Sequence, residues 1–306
     1  MSTTPPAISS ALVGERNGFR WFHVDDPKSA VLDALAAEFK LHELAIEDCR
    51  NMRQRAKLEE FEGHLFLIIN TLHFEPETCD CWFGELDAFV GKDFVITVYN
   101  GPSRTINNVR PKFAADPRLA HPGRLLMTLL DVAVDRYLPV LDTIEDSIEK
   151  LEEDAYERPS PKLLSDIFSL KRALIDFRRV ASLMRETVNQ ILYRTEPHFK
   201  SQQAYFRNVY DHVVRALDFA ETYRDILTGV LDVHLTATAN RTNETMKILT
   251  IFATLATPFL LVTGYYGMNF EYMPLLHHPY GLLIASASMI GAALGMLWFF
   301  RKRGWI

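Results

Sequence analysis

Formal charge is nearly absent from the C-terminal end of this 306-residue sequence. Between Lys247 and Arg301 the only charged side chain is Glu271, although charged residues make up 24% of the whole chain. Because charged groups are costly to place in hydrocarbon, this division predicts a large water-exposed region, residues 1–246, followed by a short membrane domain.

Cysteine, positive net charge and catalytic motifs are also scarce or missing. Three cysteines, Cys49, Cys79 and Cys81, form no even disulfide framework, which indicates a reducing compartment. The formal net charge of −6 argues against a nucleic-acid partner and suits a protein that meets cations. No nucleophile–base motif, Walker loop or GxGxxG sequence is present. We therefore expect neither catalysis nor ATP-driven transport, and no covalently bound cofactor.

Two apolar stretches lie near the end of the sequence. Residues 248–268 and 279–300 contain 21 and 22 residues without charge, and about 20 suffice for an α-helix to cross a bilayer. A core helix of a soluble protein can be equally apolar. Two in succession, rich in Gly, Ala and Ser, favour a transmembrane hairpin that contacts membrane lipid.

The charges that flank this hairpin predict its orientation. Arg301, Lys302 and Arg303 follow the second stretch, Lys247 precedes the first, and the intervening loop has no Lys or Arg. By the positive-inside rule both termini are expected on the cytoplasmic side of the cell membrane. The N-terminus also lacks the basic and apolar regions of a secretory signal.

The preceding residues predict an α+β domain built of α/β layers. Residues 18–100 mix short β-branched or aromatic runs with two helical runs that meet near Leu41 and His42. From Pro122 the pattern is helical: one helix to a break at Arg158 and Pro159, and a second over about 161–195. A third begins near Gln203, and no proline interrupts it before Pro258.

This third helix carries a coiled-coil-like seam and then a polar stripe. The seam residues alternate spacings of three and four: Phe206, Val209, Val213, Ala216, Ala220, Tyr223, Leu227 and Val230. Beyond Leu231 the side chains turn polar. A polar stripe that enters a membrane helix is consistent with a packed interhelical face or with a water-filled passage.

A passage requires several copies of the chain, because two helices cannot enclose one. If Asn243, Thr250, Thr257 and Asn269 line it, a cyclic homo-oligomer would present rings of identical oxygens. Mg²⁺ takes oxygen ligands and sheds its water reluctantly. A neutral ring of Asn269 amides suits the hydrated ion, since it binds weakly enough to release it.

The first stretch ends in Tyr266-Gly267-Met268-Asn269-Phe270, and the chain also contains LAIEDCRN, LEEDAYERP, YFRNVYDH, LLDVHLTATANRTNETMKILTI and RKRGWI. By these segments and their order, the sequence resembles the CorA family of divalent-cation channels. It covers the chain from about residue 20. It implies a homopentameric funnel with a cytoplasmic α/β domain and a long stalk helix continuous with the pore-lining span.

Particular roles follow from the resemblance alone. Gly267, Met268 and Asn269 are expected to form the outer selectivity ring. The pore is expected to continue past Gly264, Leu260, Thr257, Ala253, Thr250, Leu249, Met246 and Asn243, with Leu249 and Met246 as its constriction. Family gating uses cytoplasmic metal sites whose occupancy favours closure, at positions that match Glu47, Asp48 and Asn208.

The expected segments span the whole chain. They are a cytoplasmic α/β domain (1–120), an acidic helical hairpin (121–200), a stalk helix (201–247), the pore span (248–268), an outer loop (269–278), a second span (279–300) and a basic cytoplasmic tail (301–306).

Two departures from the family pattern bear on function. Asn208 stands where family members often carry Asp, which removes one negative charge per subunit from a hard-cation site and predicts weaker Mg²⁺-dependent closure or another regulator. The outer loop lacks the acid of the family's MPEL, so only Glu271 remains to attract cations. His277 and His278 either recruit Zn²⁺, Co²⁺ or Ni²⁺ or cap the second span, and capping is the favoured interpretation.

Further candidates and competing functions remain open. An acidic face is predicted to concentrate cations or simply to be solvated: Asp142, Glu145, Asp146, Glu149, Glu152, Glu153, Asp154 and Glu157. His73, Cys79 and Cys81 lack a four-ligand zinc pattern and are better read as surface hairpin residues. The favoured function is a channel for hydrated Mg²⁺, with Co²⁺ or Ni²⁺ as companions; the alternatives are a Zn²⁺ transporter of the same superfamily and a non-conducting membrane-anchored metal sensor.

Overall fold

The computed structural model describes residues 6–52, 54–75, 78, 80–157 and 160–306. The chain divides into two compact units, Met1–Leu231 and Asp232–Ile306, and the boundary falls inside one long helix. The predicted break at Arg158 and Pro159 lies outside the described residues, as does Cys79.

Unit 1 contains one six-stranded mixed sheet. Its strands are β1 (Leu12–Arg16), β2 (Phe19–Val24), β3 (Lys57–Phe61), β4 (His64–Glu75), β5 (Asp80–Gly91) and β6 (Phe94–Tyr99). Their spatial order is β1-β2-β6-β5-β4-β3; only β2 and β6 pair in parallel. The long hairpin of β4 and β5 supplies the centre of the sheet, where runs such as His64–Leu72 are buried on both faces.

Helices account for most of the remaining chain. They are α1 (Pro6–Ser9), α2 (Ala30–Phe39), α3 (Glu43–Asn51), α4 (Arg104–Ala115), α5 (Pro122–Val134), α6 (Tyr137–Glu157), α7 (Pro161–Leu192), α8 (Pro197–Lys200), α9 (Gln203–Tyr266) and α10 (Gly281–Lys302).

The predicted junction of α2 and α3 is confirmed. Lys40 adopts a left-handed conformation at φ 53°, which ends α2. His42 then starts α3, and its Nδ1 accepts a hydrogen bond from the Leu44 backbone N–H at 3.2 Å. Both helices pack on one sheet face, where Leu32, Leu35 and Ile46 join the core. The α+β fold class is therefore confirmed.

The single helix predicted from Pro122 to Arg158 is wrong. Helix α5 ends at Val134 and α6 begins at Tyr137. Pro139 explains the break, because proline has no N–H to donate to the carbonyl of Asp135 four residues earlier and its ring clashes with that carbonyl. The proline is visible in the sequence, so the signal was present.

The predicted seam of α9 is confirmed as core. All eight seam residues from Phe206 to Val230 are buried and share one hydrophobic cluster with α6 and α7. Polar contacts fix the same packing. The Tyr223 hydroxyl donates to Glu145 Oε2 on α6 at 2.7 Å, and Arg178 on α7 pairs with Glu221 at 2.9 Å.

Unit 2 comprises the rest of α9, a connecting loop and α10. Both helices contain stretches long and apolar enough to cross a membrane. Their large apolar side chains are mostly exposed in the chain, among them Phe252, Leu282 and Trp298. The core of a soluble protein would bury such side chains, so these helices are membrane spans.

Candidate ion pathway and metal sites

The predicted pathway residues share one exposed face of α9. Asn243, Met246, Thr250, Ala253, Thr257, Leu260 and Gly264 follow one another at alternating steps of three and four, and Leu249 lies at the edge of the same arc. All eight are exposed in the single chain. The most apolar of them, Leu249 and Leu260, are 62% and 70% exposed.

The opposite face of α9 is the less exposed one. Its residues are Lys247, Ile251, Thr254, Leu255, Pro258, Val262 and Tyr266. On α10 the less exposed residues are Gly281, Ala285, Ser286, Met289, Ala293, Met296 and Phe300. Lys247 Nζ also donates to the Gly304 carbonyl at 3.3 Å. At 100° per residue, the centres of the two α9 faces lie roughly 140° apart. The pathway face is thus directed away from the hairpin partner.

Threonine hydroxyls on the pathway face are already committed as donors. Thr250 Oγ1 donates to the Met246 carbonyl and Thr257 Oγ1 to the Ala253 carbonyl, each at 2.8 Å. A hydroxyl has one proton and two lone pairs. These oxygens therefore offer lone pairs to any species beside the face, which suits water and cations.

The helix ends where the Gly-Met-Asn sequence begins. The Gly267 N–H donates to the Thr263 carbonyl at 2.8 Å, and the Met268 N–H to the Tyr265 carbonyl at 3.4 Å. A Cβ on residue 267 would lie 2.9 Å from the Thr263 carbonyl oxygen, so glycine permits this ending. Met268 and Asn269 follow it, and both are exposed in the single chain.

The loop after Asn269 folds back onto the start of α10. His278 Nδ1 accepts from the Tyr280 N–H at 3.2 Å, and the His278 carbonyl accepts from the Gly281 N–H at 2.9 Å. These bonds favour the capping interpretation of His278. Glu271 and His277 are exposed. In the part of the chain that the structure describes, neither histidine belongs to a three-ligand metal cluster.

The predicted cytoplasmic ligands Glu47 and Asp48 lie on α3. Glu47 is exposed, whereas Asp48 accepts from Lys57 Nζ at 2.7 Å. Partial burial works to lower the pKa of Lys57, but hydrogen bonds to Asp48 and Glu59 outweigh it and raise that pKa. The ammonium therefore competes with any metal for Asp48.

Asn208 lies near a cluster that sequence reasoning missed. The ligand atoms of Asp131, Asp135 and His212 all lie within 4.8 Å of one another, and His212 Nδ1 is 3.5 Å from Asp135 Oδ1. Burial, and then repulsion from Asp135, raise the pKa of Asp131. Asn208 precedes His212 by four residues and so shares its helix face.

The cluster joins elements that are far apart in sequence. Asp131 and Asp135 belong to the end of α5 and His212 to α9. The spacing of four between the two aspartates is the only local signal. Their carboxylates and an imidazole form a donor set that fits a divalent cation.

The remaining candidates behave as surface or structural groups. On α6, Glu145 accepts from Tyr223, and the acidic residues from Asp142 to Asp154 are exposed. The His73 ring stacks on Trp82, with centroids 5.6 Å apart. Burial, and then the charge of Asp176, raise the pKa of Cys81 to about 12, so this thiol is a poor zinc ligand at neutral pH.

Known proteins of one family are similar to this sequence over nearly its whole length. The sequence model of a family described as "CorA-like Mg2+ transporter protein" matches residues 16–302. The cobalt/magnesium transport protein CorA of Thermotoga maritima is 34% identical over 284 residues, which cover 91% of this chain and 81% of that protein.

Two solved structures share the fold. The complete CorA magnesium transporter from Methanocaldococcus jannaschii matches 96% of this chain and 93% of its own, with a TM-score of 0.84 and 24% identity. The ZntB cytoplasmic domain from Vibrio parahaemolyticus matches 74% of this chain and 88% of its own, with a TM-score of 0.60 and 14% identity. At these identities the two likenesses show fold alone.

Proposed function

We propose that this chain, which belongs to the family of CorA-like Mg²⁺ transporter proteins, forms a homopentameric channel for hydrated divalent cations. The channel transports mainly Mg²⁺, and it also transports Co²⁺ and Ni²⁺. The ion gradient and the membrane potential drive these ions inward. The proposal rests chiefly on one observation: the pathway residues occupy a single exposed face of α9 that is directed away from α10.

Several copies of that face would enclose a path of fitting chemistry. Thr250 and Thr257 supply lone pairs, and Asn269 supplies a neutral amide oxygen at the outer end. Such oxygens hold a hydrated ion through its water shell without a charge that would trap it. Met246 and Leu249 form the apolar constriction, where a closed channel excludes water.

The orientation follows from the flanking charges. Arg301, Lys302 and Arg303 are exposed at the end of α10, and Lys302 and Arg303 lie over the rings of Trp298 and Phe299. Basic and aromatic side chains together are typical of the cytoplasmic membrane interface. On this basis we propose that both termini of the chain lie in the cytoplasm and Asn269 on the outer side of the membrane.

Cytoplasmic metal is proposed to regulate the channel. Asp131, Asp135 and His212 form the ligand set that geometry favours, with Asn208 one turn away. Glu47 and Asp48 supply further ligands, but Lys57 competes with the metal for Asp48, and Asn208 adds no negative charge. Mg²⁺-dependent closure should consequently be weaker than in a protein with Asp at position 208.

Asn269→Ala tests the conducting role. The variant should fail to support growth of a strain that lacks other Mg²⁺ importers, while Asn108→Ala, which changes an exposed asparagine of α4, should support it. Equal growth of both variants would remove the proposed role of Asn269 in conduction, and failure of the wild-type protein to support growth would remove the channel interpretation and favour the metal sensor.

Ion preference needs a second assay. In liposomes, wild-type protein should take up Mg²⁺ and Co²⁺, and hexammine cobalt(III), a mimic of hydrated Mg²⁺, should block this uptake. Zinc-only uptake that is insensitive to hexammine cobalt(III) would replace the magnesium assignment with the zinc alternative.

A further inference from the structure

A cavity of about 620 Å³ lies in unit 1, away from the metal-binding candidates of α5 and α9. Its walls come from the residues that follow α3, from the middle of β4, the first half of β5 and the end of β6, and from α7. Cavities of roughly 300–1,000 Å³ are the usual size of small-molecule sites. The transport mechanism makes no use of this one.

Two hydroxyls converge on a glycine in its wall. Gly84 pairs with Thr71 on β4 and lies beside Tyr99 on β6. A Cβ on residue 84 would collide with the Tyr99 hydroxyl and lie 2.6 Å from Thr71 Oγ1. Thr71 is 4% exposed, and its Oγ1 has no hydrogen-bond partner among the described residues. Tyr99 lines the cavity and Thr71 does not, so the Tyr99 hydroxyl is the one that a ligand in the cavity can reach.

Charged and aromatic side chains complete the lining. Arg55 and Arg179 both line the cavity, and neither forms an ion pair with a described residue. Glu85 already accepts from the Gln54 N–H at 2.5 Å. Trp82 is half exposed, and because His73 stacks on one face of its ring, a ligand would use the other face. Guanidinium groups recognise phosphate by paired hydrogen bonds, and an indole face stacks on a flat ring.

We propose that this cavity binds a nucleoside monophosphate. Its phosphate is held by Arg55 and Arg179, its base lies against Trp82, and its hydroxyls contact Tyr99. Inorganic phosphate satisfies only the arginines, and a nucleoside satisfies only the rest.

Calorimetry on the full-length protein in detergent tests this with AMP, adenosine and inorganic phosphate as probes. AMP should bind more tightly than either fragment. Arg55→Gln and Arg179→Gln should each weaken AMP binding by about tenfold or more. Tyr99→Phe should weaken it by about two- to tenfold. Arg172→Gln, an exposed arginine of α7 outside the lining, is the matched control and should bind as wild type does.

The outcomes separate clearly. Absence of AMP binding, equal affinity for AMP and phosphate, or Arg179→Gln binding like Arg172→Gln would each overturn the proposal.

Discussion

Gly264 offers a sharp test of the shared pathway, because its effect must arise between copies of the chain. It lies inside α9 on the pathway face, and a Cβ there would meet nothing within 4 Å in the single chain. Alanine in place of an interior helix glycine stabilises the helix by roughly 0.5–1 kcal/mol. Gly264→Ala should therefore not harm the isolated subunit. In a ring, where helices approach closely at this face, the added methyl should impede packing.

We expect Gly264→Ala to lower Mg²⁺ flux into liposomes by about tenfold, which corresponds to about 1.4 kcal/mol in the conducting equilibrium. Gly291→Ala is the matched control: it is an exposed helix glycine of α10 that also has nothing within 4 Å. Its flux should equal that of wild type. The argument fails if Gly264→Ala conducts like Gly291→Ala, or if both variants lose flux equally.

Three further predictions concern unit 1. Tyr223→Phe removes the bond to Glu145, so urea titration should show the free energy of unfolding lowered by about 1–2 kcal/mol; an unchanged midpoint would contradict this. Burial, and then repulsion from Glu85, raise the pKa of Asp87. The contribution of Asp87 to the free energy of unfolding is therefore greatest below the ordinary aspartate pKa, and it falls by up to about 1.4 kcal/mol per pH unit as pH rises toward the raised pKa. Asp87→Asn should flatten the melting temperature against pH, and a retained slope would refute it. Asn208→Asp should strengthen inhibition of uptake by internal Mg²⁺; identical Mg²⁺ dependence in both proteins would exclude the missing charge as a cause.

Periodicity predicted the elements that bury a regular face. The spacing from Phe206 to Val230 identified core positions correctly, because a long helix repeats its geometry at every turn. The pathway residues from Asn243 to Gly264 were instead expected from the family resemblance, and they lie on one face of α9. Periodicity does not predict the break before Tyr137, because the apolar pattern continues through it; Pro139 is the sequence signal that marks it.

Contacts between distant segments could not be predicted from spacing. Asp131 and His212 are brought together only when α5 and α9 pack in one unit. Likewise, the Asp48 carboxylate looked like a free ligand in LAIEDCRN, yet Lys57 from β3 binds it. The cavity around Gly84 depends on three strands and a helix, and no local sequence motif predicts it.

The hydroxyl geometry of α9 has a consequence for anions. The hydroxyls of Thr250 and Thr257 donate their only protons to backbone carbonyls. Chloride beside this face would therefore contact oxygen lone pairs and would have no O–H donor from these side chains. A ring of such threonines would disfavour negative ions by dipole orientation alone, with no fixed carboxylate. Selectivity for cations over anions would then be a property of helix hydrogen bonding, and it would persist at any pH at which the helix is folded.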